Sequence, residues 1–157
     1  RLVAMLARAR GAEVPLVGRS QRSRAFAAGL GFAGVWTFDD LPELPWDAVV
    51  DATNAPTMPP LAVELVEPGR RVVCVGLATT PSRVDTRDLL LKDVTAVGIL
   101  SGSPGLAGTI EQYASGAVDP RPLVAATVGL DEVADVLAGH RPDGAGAGPK
   151  LHVDPRR

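Results

Sequence analysis

Short, unbroken apolar runs return along this chain, and helical patterns stand between most of them. The runs are "VPLV" (14–17), "GVWTF" (34–38), "DAVVDA" (47–52), "RRVVCVGL" (70–77), "VTAVGIL" (94–100) and "KLHV" (150–153). The helical stretches are "SRAFAAGL" (23–30), "PTMPPLAVELV" (56–66), "TRDLLLKD" (86–93), "GLAGTIEQYASGAV" (105–118) and "DEVADVLAGH" (131–140). A strand with no polar alternation is covered on both faces, and parallel neighbours need a crossover long enough to hold a helix. The pattern therefore predicts a doubly wound α/β fold: a mostly parallel sheet flanked by helices.

Local chemistry marks the element ends. Ser20 is placed to cap the helix that follows it, and the prolines of 56–66 pre-set the first turn of theirs. "PG" (68–69) predicts a turn, "DDLPELPW" (39–46) a surface loop, and the glycine-rich "RPDGAGAGP" (141–149) a mobile one. In "RLVAMLARARGAEV", Leu2, Met5, Leu6 and Ala9 fall on one helical face and Gly11 closes the helix. That helix starts with neither a cap nor a Met, which predicts a missing upstream element.

"GLGFAG" (29–34) matches G-x-G-x-x-G letter for letter. The dinucleotide fingerprint needs a strand before it and a helix after it, so that phosphate meets a helix N-terminus. Here the order is reversed, and these glycines read as a helix end and a turn.

Composition narrows the function classes. Hydrophobic residues make up 46% of the chain and charged residues 22%, as in an ordinary globular protein. Sixteen basic against eighteen acidic residues give no polybasic signature, so nucleic acid is not an expected partner. No apolar run is long enough to span a membrane, and no signal peptide opens the chain. The single cysteine, Cys74, and two histidines, His140 and His152, show no zinc spacing. A reducing, cytoplasmic compartment is expected. Cys74 is expected to be an inert buried thiol, His152 to sit on one face of the last strand, and Asp51 to carry no chemistry.

The residues after Val17 pose the functional question. Gly18, Arg19 and Ser20, followed by Arg22 and Arg24, place three arginines within six positions of a chain whose net charge is −2. In a dinucleotide fold, an acid ending the second strand binds the ribose hydroxyls of NAD, whereas a small residue with arginine nearby accepts the 2′-phosphate of NADP. If 14–17 is that strand, Gly18 is the selector, and Arg19, Ser20 and Arg22 or Arg24 surround the phosphate. The alternative is a helix start carrying solvated arginines.

The order of "GAEVPLVGRSQRSRAFAAGLGF", "WDAVVDATNAPTMPPLAVELVEPGRRVVCVGL", "SGAVDPRPLVAATVGLDEVADVL" and "GPKLHVDP" resembles the Rossmann-like cofactor-binding half of the medium-chain dehydrogenase/reductase family. That family includes zinc alcohol dehydrogenases, polyol dehydrogenases and zinc-free quinone reductases. The resemblance covers essentially all 157 residues. It implies one dinucleotide-binding domain over 1–157, truncated at its N-terminus. The first strand, the glycine loop and a catalytic domain with Cys, His and Glu zinc ligands would precede Arg1.

Carried over by position, the resemblance makes Gly18 an NADP-type selector, with NAD less favoured, and makes Arg19 and Ser20 contacts to the 2′-phosphate, with Arg24 as a further cation. It puts Thr53 at the adenosine pocket, Val75, Gly76 and Leu77 beside the nicotinamide amide, Ile99 and Ser101 on its other side, and Lys150 at the pyrophosphate. Alternatives stay open: Val75 and Leu77 as sheet core, Thr53 as a turn cap, Lys150 as a surface lysine. No catalytic residue and no metal ligand is assigned within the chain.

The implied parent is an NADP(H)-dependent alcohol dehydrogenase-like oxidoreductase moving hydride to or from a small alcohol or carbonyl, with zinc confined to the missing domain. The chain alone is expected to be inactive. A zinc-free quinone or enoyl reductase and a non-catalytic nucleotide-binding module are the alternatives. A homodimer formed through the edge strand in "TAVGIL" is also implied.

Overall fold

A computed structural model describes residues 1–32 and 34–157, with residue 103 described by its backbone alone. The chain divides into two compact units, Arg1–Leu41 with Gly105–Arg157, and Pro42–Pro104.

The first unit opens with α1 (Leu2–Ala9), whose Ala4 and Met5 are buried. Gly11 at φ +84° ends it, as the sequence predicts, because the left-handed turn that returns Gly11 N–H to Arg8 O is open to glycine at little cost. Next come β1 (Leu16–Val17), α2 (Gln21–Gly29) and β2 (Val35–Trp36), with β1 and β2 parallel. Gly29 is the last residue of α2 and Gly31 turns the chain at φ +78°, so "GLGFAG" is a helix end followed by a strand; its Ala33 lies outside the described residues.

After residue 105 this unit continues with α5 (Leu106–Ala114), β6 (Val124–Val128), α6 (Val133–Leu137) and β7 (Lys150–Val153), and β6 pairs in parallel with β7. The strand β6 has no counterpart among the runs read from the sequence. Both helices are shorter than their sequence patterns. Ala4, Met5, Phe32, Val118 and Leu123 form the core, with Leu6, Leu16, Phe26 and Tyr113 packed against it.

The second unit holds β3 (Trp46–Asp51), α3 (Met58–Leu65), β4 (Val66–Cys74), α4 (Thr86–Leu91) and β5 (Thr95–Gly98). Its sheet runs β3-β4-β5, all parallel. The predicted turn at 68–69 lies inside β4: Trp46 pairs with Val66, yet Ala48 already pairs with Arg71. The extra residues bulge out at Gly69, whose φ is +74° and whose N–H reaches Lys92 O at 2.7 Å. The Lys92 ammonium in turn donates to the carbonyls of Glu64 (2.6 Å) and Val66 (2.9 Å), placing a cation at the negative end of α3. Ala62, Val63, Val66 and Val72 form the core, and burying each valine contributes about 1.5–3 kcal/mol. No described helix is long and apolar enough to cross a membrane.

Candidate functional site

The segment after β1 is shaped by three side chains. Ser20, extended at φ −90° and ψ 141°, accepts the Ser23 N–H on its hydroxyl at 3.1 Å, which is the predicted cap of α2. Arg24, one helical turn on, folds back so that Nη1 donates to Gly18 O at 2.8 Å and Arg19 O at 2.9 Å. Two carbonyls that would otherwise need water are thereby satisfied, and the turn holding Gly18–Ser20 is tied to the helix it precedes. A side chain at Gly18 is sterically admissible: its Cβ would stand 3.4 Å from Arg24 Cγ and from Ser23 Oγ. The Arg19 side chain makes no hydrogen bond or ion pair among the described residues and is exposed.

Lys150 begins β7 in the same unit. The loop 141–149, predicted to be mobile, is tied down: Gly146 N–H donates to Ala125 O at 2.9 Å, and Arg141 Nη2 donates to the carbonyls of Gly146 and Gly148.

The other unit gathers Thr53, Val75, Gly76, Leu77, Ile99 and Ser101 at or beyond the carboxyl ends of its parallel strands, the end at which open α/β sheets bind ligands. Asp51, 6% exposed, ends β3. Its backbone carbonyl accepts from Val75 N–H (2.8 Å) and Gly76 N–H (3.1 Å), and its carboxylate accepts from Thr53 N–H at 2.9 Å. Sequence reasoning gave Asp51 no role; the structure makes it the buried brace of this strand end. A Cβ at Gly76 would overlap the Thr53 carbonyl, so the two segments touch backbone to backbone. Thr53 Oγ1 accepts from Ala55 N–H at 3.2 Å, so it does cap the following turn.

Val75 and Leu77 stand past the end of β4, 40% and 79% exposed, and neither is core. Ile99 N–H donates to Cys74 O at 2.9 Å, and Ile99 is itself 40% exposed. Cys74 is half-buried, its thiol pushed up first by burial and then by Asp51. Among the described residues no group of three His, Cys, Asp or Glu side chains is placed to hold a metal ion.

Parallel strands joined by helices, with polar and small residues at their carboxyl ends, define a Rossmann-like α/β fold. The family model described as zinc-binding dehydrogenase matches residues 1–118, and the chain belongs to that family. Solved structures agree in fold. A short chain alcohol dehydrogenase (RspB) from E. coli CFT073, complexed with NADH, has a TM-score of 0.83 at 18% identity, over 96% of this chain and 48% of that one. L-idonate 5-dehydrogenase from Escherichia coli K-12 has a TM-score of 0.80 at 17% identity, over 96% and 45%. A zinc-binding dehydrogenase from Sinorhizobium meliloti 1021 bound to NADP has a TM-score of 0.80 at 20% identity, over 97% and 48%. The chain thus spans just under half the length of each. No curated protein sequence matches it.

Proposed function

We propose that this chain is the dinucleotide-binding part of an NADP(H)-dependent alcohol dehydrogenase-like oxidoreductase acting on a small alcohol or carbonyl compound. The observation that carries the reading is the end of β1: Gly18 offers no carboxylate, the Arg19 side chain has no partner among the described residues, and Ser20 caps the helix whose N-terminus faces the same turn. A phosphate there meets a guanidinium, a hydroxyl and helix N–H groups without a repelling charge.

The residues fit the cofactor. Gly18 brings no side chain to the turn, and Arg24 fixes the turn's shape through its two carbonyl bonds while its Nη2 makes no hydrogen bond among the described residues. Backbone groups at Val75, Gly76 and Leu77, with Ile99 and Ser101, orient the nicotinamide amide, Thr53 lines the ribose side, and Lys150 neutralises the pyrophosphate. The bound cofactor would supply or accept the hydride; this half of the protein binds and orients it. Its described residues offer no group of ligands for zinc. Among the described residues β5 pairs with β4 alone, and its other edge suits a homodimer that extends the sheet. A cytoplasmic setting completes the reading.

The test is Gly18→Asp combined with Arg19→Ile in the protein that carries this chain. The NADPH/NADH affinity ratio should move towards NADH; a ratio that stays put overturns the assignment.

A further inference from the structure

Asp51 is the only charged residue buried among the described residues, and its charge stands without a counter-charge. Oδ1 accepts from Thr53 N–H at 2.9 Å, while Oδ2 has no donor and no cation pairs with the carboxylate among the described residues. That single bond does not call for a charge. Asparagine or serine closes the same turn onto the N–H two residues on, without the cost of taking a carboxylate out of water. Buried charges are as a rule paired, so a cation is wanted at this strand end.

Position says which cation. Asp51 ends β3 in register with Cys74 of β4, and its backbone carbonyl takes the N–H groups of Val75 and Gly76 at 2.8 and 3.1 Å. Ile99 N–H reaches Cys74 O at 2.9 Å, so the ends of β3, β4 and β5 are tied together beside Asp51, all within the second unit. The carboxylate is felt across the strands: it pushes the Cys74 thiol up, second only to burial. Val75, Gly76, Leu77 and Ile99 are the segments proposed above to orient the nicotinamide amide. The oxidised nicotinamide ring is a cation, and the reduced ring is neutral.

We propose that Asp51 selects the oxidation state of the bound cofactor, its carboxylate favouring the cationic ring of NADP⁺ over the neutral ring of NADPH. The proposal rests on the dinucleotide-binding reading above and deepens it. Where the Gly18–Ser20 turn tells one phosphate pattern from another, Asp51 tells the two redox forms apart. A charge in a partly dry site acts through space, so the carboxylate does this without touching the ring.

The experiment measures direct binding of NADP⁺ and NADPH to the protein that carries this chain. Asp51→Asn keeps an acceptor for Thr53 N–H and removes the charge. Its NADP⁺ affinity should fall about fivefold while NADPH stays within about twofold, the size expected of one unit charge several ångströms away in a partly solvated site. Asp51→Ser is a second neutral acceptor and should move the ratio of the two affinities the same way, so the result does not hang on the folding of one variant. Asp51→Glu keeps the charge and should keep the ratio, whatever it does to both affinities together. Equal losses for NADP⁺ and NADPH in the neutral variants would reduce Asp51 to scaffolding and overturn the proposal. Unchanged affinities, or a ratio lost as fully in Asp51→Glu, would overturn it too. A wild type that prefers NAD⁺ and NADH would sink the 2′-phosphate assignment alone, and the ratio measured with that pair still decides on Asp51. Binding of none of the four would sink both.

Discussion

Arg24 binds backward onto the turn that leads into its own helix: Nη1 donates to Gly18 O at 2.8 Å and to Arg19 O at 2.9 Å. Of the arginines after β1, this one braces the residues proposed to choose the cofactor. Removing it should therefore act through the turn's shape. Arg24→Ala is expected to cost about 1–2 kcal/mol in denaturant unfolding and to weaken NADPH more than NADH. Unchanged stability together with unchanged selectivity would show that the brace has no consequence.

Ser20 combines a helix cap with a proposed phosphate contact, and one substitution separates the two roles. Aspartate caps about as well as serine, so Ser20→Asp should leave stability within about 0.5 kcal/mol of wild type. Its carboxylate would nevertheless repel a 2′-phosphate. NADPH affinity should fall well below that of wild type while NADH binding is retained; equal effects on both cofactors would count against Ser20 as a phosphate ligand.

Gly76 is demanded by contact. Because its Cβ would overlap the Thr53 carbonyl, Gly76→Ala must push apart the ends of β3 and β4. Overpacking of this kind costs about 1–3 kcal/mol. The midpoint of urea unfolding should drop accordingly, and an unaffected midpoint would mean that the two segments separate freely.

An exposed pair gives a pH prediction whose sign follows from its geometry. Asp85 accepts two bonds from Arg87 Nε and a 2.5 Å bond from Nη2, as well as one from the Arg87 N–H, and these hold its carboxyl below the usual aspartate value, the side-chain bonds contributing most. A depressed folded-state pKa adds stability above the unfolded-state pKa, and that stability is lost as pH falls through the folded-state value. Carboxyl carbon NMR should find Asp85 titrating below model aspartate, and Arg87→Ala should move it back up. A titration that ignores Arg87 would remove the pair from the account.

Much of the fold was legible in short windows. The apolar runs became β1 to β5 and β7, Ser20 did cap α2, Gly11 and Gly31 did end helices, and "GLGFAG" does follow a helix and precede a strand. The strand β6 escaped because "VAATV" is rich in alanine and hemmed by Pro122 and Gly129, giving little strand signal on its own. The "PG" turn was read as a strand boundary, yet β4 runs through it as a bulge, since pairing with β3 on either side outweighs a local kink.

Periodicity, caps and turn residues are properties of neighbours in sequence, and a single chain displays them openly. The bond from Arg24 to Gly18, the backbone contact of Gly76 with Thr53, the bonds of the Asp51 carbonyl with Val75 and Gly76 and the meeting of Arg1, Arg22 and Arg141 around one pocket are of another kind. Each depends on where a side chain or carbonyl lies in space relative to groups outside its own local pattern, up to more than a hundred positions along the chain. Hydrogen bonding and charge act over a few ångströms, so those partners were settled when the strands paired and the loops were drawn against them.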